Sequence, residues 1–228
     1  MSKTVAVIAA HPDDEVLGCG GTIARLAREG RSVHVLLLAD GVSSRTESPE
    51  KIDTNCLEVR NNAAKRSGKI LGCASIEQLF FPDNRMDSLH LLDIVKEIEK
   101  FINKHQPSVV ITHHGGDVNV DHRIVHEAVI VACRPQPGFS VRELLFFEVP
   151  SSTEWRPPSS CQMFNPNWFV DISATLDLKL QALQEYQDEL RPFPHPRSLQ
   201  AVEALARWRG ATVGMEASEA FILGRKLI

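Results

Sequence analysis

No block or stripe of basic residues runs through the 228-residue chain, whose net charge is −4. That argues against nucleic acid and against an anionic membrane surface as partners. No apolar stretch approaches the roughly 20 residues that a membrane helix needs. The run Val5–Ala10 is too short, and too soon followed by charge, to be a signal peptide. No CxxC pair occurs either. Cys19, Cys56, Cys73, Cys133 and Cys161 are scattered and odd in number, which fits reduced thiols in a cytoplasm better than a disulfide framework or a cysteine-type zinc site. Internal repeats and low-complexity segments are also missing. The apolar and charged fractions, 43% and 24%, are ordinary for a soluble globular protein. A chain of this length buries roughly 70% of its unfolded surface and needs no staple. The expectation is a soluble cytoplasmic protein with one domain over residues 1–228.

What is present is an alternation of strand and helix patterns. Thr4–Ala10 is a continuous apolar run, as expected of a strand covered on both faces. Val16–Glu29 follows with helical spacing and Gly30 as its stop. Strands are then expected at Val33–Ala39, Ile76–Phe81, Ser108–Thr112 and Leu144–Val149. Helices are expected at Leu57–Leu71, Leu91–Ile102 and Ile124–Cys133. This order predicts an α/β fold, a three-layer Rossmann-like sandwich around a mostly parallel sheet. Residues 150–166 form a Ser/Pro-rich connection, long enough to be a lid, a binding wall or a subunit contact. Its Trp155 is compatible with a homo-oligomer. An edge strand is expected at Trp168–Ile172, then helices at Leu176–Leu190 and Leu199–Trp208, parted by the proline-broken RPFPHPRS.

Two polar segments fall at strand ends, where ligands bind in open parallel sheets. HPDDE, His11–Glu15, follows the first strand, and THHGGDVNVDH, Thr112–His122, follows the fourth. Acidic groups crowded at the end of a buried strand repel one another, and a divalent cation removes that repulsion. His11 and Asp14, three apart, face one point in a turn that enters a helix. With His122 they give two imidazoles and one carboxylate with an open position, the composition of a catalytic zinc site. Ferrous iron accepts the same donors. Asp13, beside a ligand but aimed differently, is the candidate proton acceptor. Glu15 reads as a charge favoured at a helix N-terminus rather than a ligand. His126, one turn beyond His122, reads as a packed or supporting imidazole, and Asp121 as a group that orients a ligand histidine. His34, His90 and His105 read as structural or solvated.

A dinucleotide-binding reading competes, because Gly18-Cys19-Gly20-Gly21 precedes Asp40 at the end of the second strand. Those glycines come too late after the strand, and three carboxylates would face the pyrophosphate. Close packing of a helix explains them better.

AHPDDE together with the later DH resembles the PIG-L/LmbE-like family of zinc-dependent deacetylases. VRNNAAKRSGKILG, LFFPDNRMD, ALQEYQDEL, PHPRS and EASEAFILGRK extend the resemblance over nearly the whole chain. It implies a Rossmann-like fold, one divalent metal (usually zinc) and hydrolysis of an N-acetyl group, most often on an amino sugar or sugar conjugate. It also implies His11, Asp14 and His122 as ligands, Asp13 as general base, and Arg60 and Asp83 as pocket residues. Many members carry HPDH where this chain reads Asn119-Val120-Asp121-His122. Asn119 donates a hydrogen bond but supplies no proton, which leaves His113, His114, His126 or a protonated Asp13 to return one. Alternative substrates are a thiol–sugar conjugate or another N-acyl metabolite. Trp155, Arg156, Arg191, His195 and Arg197 are candidates for a stacking and charged wall.

Overall fold

The computed structural model describes residues 4–45, 54–158 and 162–228, so Cys161 and the centre of the 150–166 loop lie outside the described residues. Five strands, β1 (Thr4–Ala9), β2 (Ser32–Ala39), β3 (Ser75–Phe81), β4 (Val109–His113) and β5 (Glu143–Phe147), pair in parallel. Between them come α1 (Asp14–Arg28), α2 (Thr54–Leu71), α3 (Leu91–His105) and α4 (Val120–Ala132). The chain closes with β6 (Trp168–Asp171), α5 (Leu176–Gln184), α6 (Leu199–Ala211) and β7 (Ser218–Lys226). The sheet order is β3-β2-β1-β4-β5-β7-β6.

Helices cover both faces because the strands are apolar on both. Val5, Val7 and Ala9 of β1 pack with Ile23 of α1, Ala64 of α2 and Leu183 of α5. Ala6 and Ile8 of the same strand pack with Ile94 and Ile98 of α3 and Val125 and Val129 of α4. Each large aliphatic side chain buried this way contributes about 1.5–3 kcal/mol. The fold is thus the expected three-layer α/β sandwich, with β6 at an edge of the sheet as anticipated.

Two elements depart from the sequence reading. No strand is expected after α6, yet β7 runs antiparallel between β5 and β6. Its first residues, Ser218 and Glu219, are polar and buried, which disguises a strand that lies inside the sheet. The helix expected to run to Leu190 ends at Gln184. Beyond it the chain turns through short-range bonds, Tyr186 N to Leu183 O at 3.1 Å and Glu189 N to Tyr186 O at 2.9 Å.

The buried polar start of β7 has a partner. α1 is broken at Cys19, whose φ of −151° and ψ of 23° are not helical. The break strands backbone groups on either side of it. Lys179 of α5 donates from Nζ to Leu17 O at 2.8 Å. Glu219 accepts from Gly21 N at 2.9 Å and Thr22 N at 2.7 Å. Lys179 and Glu219 meet at 2.5 Å, so one ion pair caps the first half of α1 and opens the second. Gly21 is required here, because a Cβ would lie 2.8 Å from Ile172. The glycine cluster therefore serves close packing.

The strand order reverses between β1 and β4, which is where such sheets open a crevice at their carboxyl ends.

Candidate metal centre

β1 delivers His11 and, through the first turn of α1, Asp13 and Asp14 to one side of this crevice. On the other side, β4 ends at His113 and the loop after it leads to Asn119, which caps α4 by accepting from Asp121 N at 2.8 Å and His122 N at 3.4 Å. The cap fixes the first turn of α4 and with it Asp121 and His122.

Three donor atoms converge from the two sides. His11 Nδ1 lies 3.0 Å from Asp14 Oδ2. His122 Nε2 lies 3.1 Å from the same oxygen and 3.3 Å from His11 Nδ1. A tetrahedral ion with bonds of about 2.0–2.2 Å separates its ligand atoms by roughly 3.3–3.5 Å. The trio is therefore buried and within a few tenths of an ångström of the spacing a zinc-sized ion requires, so a small outward shift of the donors would seat one.

The far nitrogen of each imidazole is held from behind. His11 Nε2 is 3.1 Å from Asp121 Oδ2 and 3.2 Å from Asp83 Oδ1. Asp121 is itself fixed by the amides of Asn84 at 2.7 Å and Met86 at 3.0 Å. His122 Nδ1 is 3.2 Å from Asp117 Oδ2, and Asp117 also accepts from Ser152 Oγ and, at 2.6 Å, from Thr153 Oγ1. Carboxylates in these positions set the tautomer and turn the outward lone pairs toward the common point.

The electrostatics point the same way. Burial pulls the His122 imidazole down, but Asp14 and Asp117 carry it up to about 9. His11 is likewise raised well above its ordinary value against its burial by Asp121, Asp14 and Asp83. Burial disfavours ionised Asp14, yet His122 and His11 hold it well below the usual carboxylate range. The surrounding carboxylates thus favour a cation at this point, and an ion binding there would displace the imidazole protons.

His113 is different. It stacks on His122 at 4.0 Å, but its Nε2 accepts the Ala10 amide at 2.8 Å. Burial and the neighbouring His122 push it well below its ordinary value. Its lone pair is spent on the backbone, so it adds no donor. His114 bonds Gln162 O at 2.9 Å. His126 bonds His113 O at 2.9 Å and packs edge-on against Phe146. None of these three lines the cleft.

That cleft, of about 230 Å³, is lined by His11, Asp13, Asp14, Arg60, Asp83, Asn119, His122, Trp155, Glu189 and Arg197, among others. Asp13 lies beside the donor trio with its Oδ2 3.5 Å from Arg197 Nη1. Burial and Asp14 push its carboxyl up to about 7, against the pull of Arg60 and Arg197. Arg60 and Arg197 share Glu189, at 2.5 Å and 3.1 Å, and Arg197 also reaches Ser151 Oγ at 2.6 Å. Trp155 stands 53% exposed at the wall formed by the loop after β5, edge-on to His195 at 5.9 Å.

The structure thus gathers His11, Asp13, Asp14, His122, Arg60, Asp83 and Asp121, and leaves His126 behind. Asn119 lines the cleft, but its oxygen caps α4 and its amide donates to Asn84 Oδ1 at 2.8 Å. Arg191 is occupied by the carbonyls of Asp188 and Leu190. Asp117, Asn84, Ser152 and Glu189 escape the sequence reading. Asp117 had a signal, an acidic residue in the same polar segment as His122; Glu189 sits in a helical pattern and had none.

Residues 6–133 match the family described as PIG-L, GlcNAc-PI de-N-acetylase. The chain is 31% identical over 190 residues to an uncharacterised deacetylase, YaiS, of Escherichia coli strain K12, covering 81% of this chain and 91% of that one. It is 32% identical over 195 residues to diacetylchitobiose deacetylase of Thermococcus kodakarensis, covering 82% and 70%. It is 30% identical over 199 residues to 4-oxalmesaconate hydratase of Pseudomonas putida, covering 80% and 72%. The match spans both segments that build the donor trio, HPDDE and the one ending at His122, and the chain belongs to the PIG-L family.

Proposed function

We propose that the chain is a metal-dependent hydrolase that removes the acetyl group from an N-acetylated amino sugar or sugar conjugate. The observation that carries this reading is the convergence of His11 Nδ1, Asp14 Oδ2 and His122 Nε2 beside the Asp13 carboxylate in one polar cleft. These three residues hold the ion; zinc is the first candidate and ferrous iron the second, since both accept two imidazoles and a carboxylate. The ion, when bound, supplies a Lewis acid to polarise the acetamide carbonyl.

The chain's own groups do the rest. Asp13 accepts the proton of the attacking water and returns it to the departing amine nitrogen, because Asn119 is a helix cap that does not titrate. Asp121 and Asp83 hold His11, and Asp117 holds His122. Arg60, Arg197 and Trp155 form the wall that meets the sugar. The scattered, odd-numbered cysteines of the sequence support a cytoplasmic setting, and the enzyme is read as one domain over residues 1–228.

The relative named as a hydratase supports a second reading, addition of water to an unsaturated carboxylic acid. Glu189 weighs against it, since it offsets the charge of both arginines that would greet such an anion. One screen decides. N-acetylglucosamine, N,N′-diacetylchitobiose and nucleotide- or thiol-linked N-acetyl sugars are incubated with zinc and with a chelator, and acetate is measured. Chelator-sensitive acetate release is the expected result. No acetate from any of them, with hydration of 4-oxalmesaconate seen by ultraviolet absorbance, overturns it.

A further inference from the structure

Asp13 holds φ at 119° and ψ at −29°, a left-handed state that costs a residue with a side chain on the order of 1–3 kcal/mol and persists only where its surroundings enforce it. On one side α1 enforces it: Asp13 O accepts from Val16 N at 3.0 Å and Leu17 N at 2.9 Å. On the other side the agent is Glu15. Asp13 N donates to Glu15 Oε2 at 3.0 Å, and Glu15 Oε1 accepts from the Tyr186 hydroxyl at 2.6 Å.

Glu15 is not the solvated helix-end charge that its position suggests. Glu15 and Tyr186 are each 1% exposed. A buried carboxylate is costly unless its oxygens are bonded, and here they are spent on one amide and one phenol. The anchor leads onward, because Glu189, which holds Arg60 and Arg197, donates its amide to Tyr186 O at 2.9 Å.

We propose that Glu15 is a positioning residue for Asp13: its buried carboxylate, anchored by Tyr186, holds the Asp13 peptide in the left-handed state that aims the Asp13 side chain into the cleft. The proposal rests on the reading of Asp13 as the proton acceptor. Asp14 is held by α1 and by its own bonds to the histidines, so the clamp governs the base and not the ion.

The test uses Glu15→Met, Glu15→Gln and Tyr186→Phe, with crystal structures, zinc content by elemental analysis, and kcat and KM for acetate release. In Glu15→Met the φ of Asp13 should leave the positive region while zinc content and KM stay at parental values. The kcat should fall about 100-fold, the scale expected when a reacting group is misplaced by roughly 1 Å. Glu15→Gln should recover much of the loss, since the carboxamide oxygen still accepts from Asp13 and its NH₂ donates to a turned Tyr186 hydroxyl. If Glu15→Met does not fold, Tyr186→Phe reads the same quantities with a smaller loss.

An unchanged φ with parental kcat in the variants that fold overturns the proposal. So does a kcat loss accompanied by zinc loss, which would make Glu15 a support for the ligands instead. Asp13→Asn separates the two readings. If it still releases acetate, the base reading fails while φ still tests the clamp. If it is inactive and Glu15→Met is not, the clamp alone fails.

Discussion

The first half of α1 has a buried charged cluster at each end, and the two obey different rules. At the break, Lys179 and Glu219 supply one charge of each sign, and the backbone of Leu17, Gly21 and Thr22 takes up the bonds that the pair leaves over. At the start, Asp14 and two imidazoles turn three lone pairs toward one point, while Asp117 and Asp121 brace them from behind. The difference teaches that a cation site is recognised by where its lone pairs aim, not by how many charges it buries. A closed ion pair spends its atoms on its own partners; a ligand set directs them at a shared centre.

Three substitutions break or sharpen that contrast. The largest effect belongs to His122→Ala, which removes a proposed ligand and the helix-borne half of the trio. Bound metal measured by elemental analysis should fall toward zero and acetate release should vanish with it. Parental metal content would remove His122 from the ligand set. Lys179→Met comes next, because it leaves Glu219 buried without its counter-charge, a loss that costs about 3–5 kcal/mol in comparable pairs. Urea unfolding should show this as a lower midpoint, whereas zinc stoichiometry in the folded protein should be unchanged. Metal loss in the folded variant would mean that the two ends of the segment are not independent. Asn119→Ala should have the smallest effect, about 1 kcal/mol of stability for a lost helix cap, again read by urea. A change in the pH dependence of kcat in that variant would instead make Asn119 part of the proton traffic.

Much of this was legible in the sequence. β1 and β4 are built on the apolar runs Val5–Ala9 and Val109–Ile111, and the polar residues that follow those runs had to emerge at the same rim of a parallel sheet. His11, Asp14 and His122 could be paired on that ground, and they meet. β7 was not legible, since it starts with a buried serine and a glutamate whose partners, Lys179 and the α1 amides, lie far away in the chain. The same blindness hid Glu189 and the burial of Glu15. Their roles depend on contacts with Arg60, Arg197 and Tyr186 that no local pattern announces. Asn119 illustrates the converse. Its place in the motif suggested chemistry, and its oxygen is occupied by the start of α4.

The break at Cys19 has a mechanical corollary. A continuous rod passes a bend at one end to the other, and the outer end of α1, at Arg28 and Glu29, lies at the exposed surface. Severed and separately fastened to α5 and β7, the inner segment need not follow that movement. The few residues that carry the Asp13 and Asp14 carboxylates are in effect mounted on the frame of the molecule, so the surface turn of α1 is free to vary without detuning them.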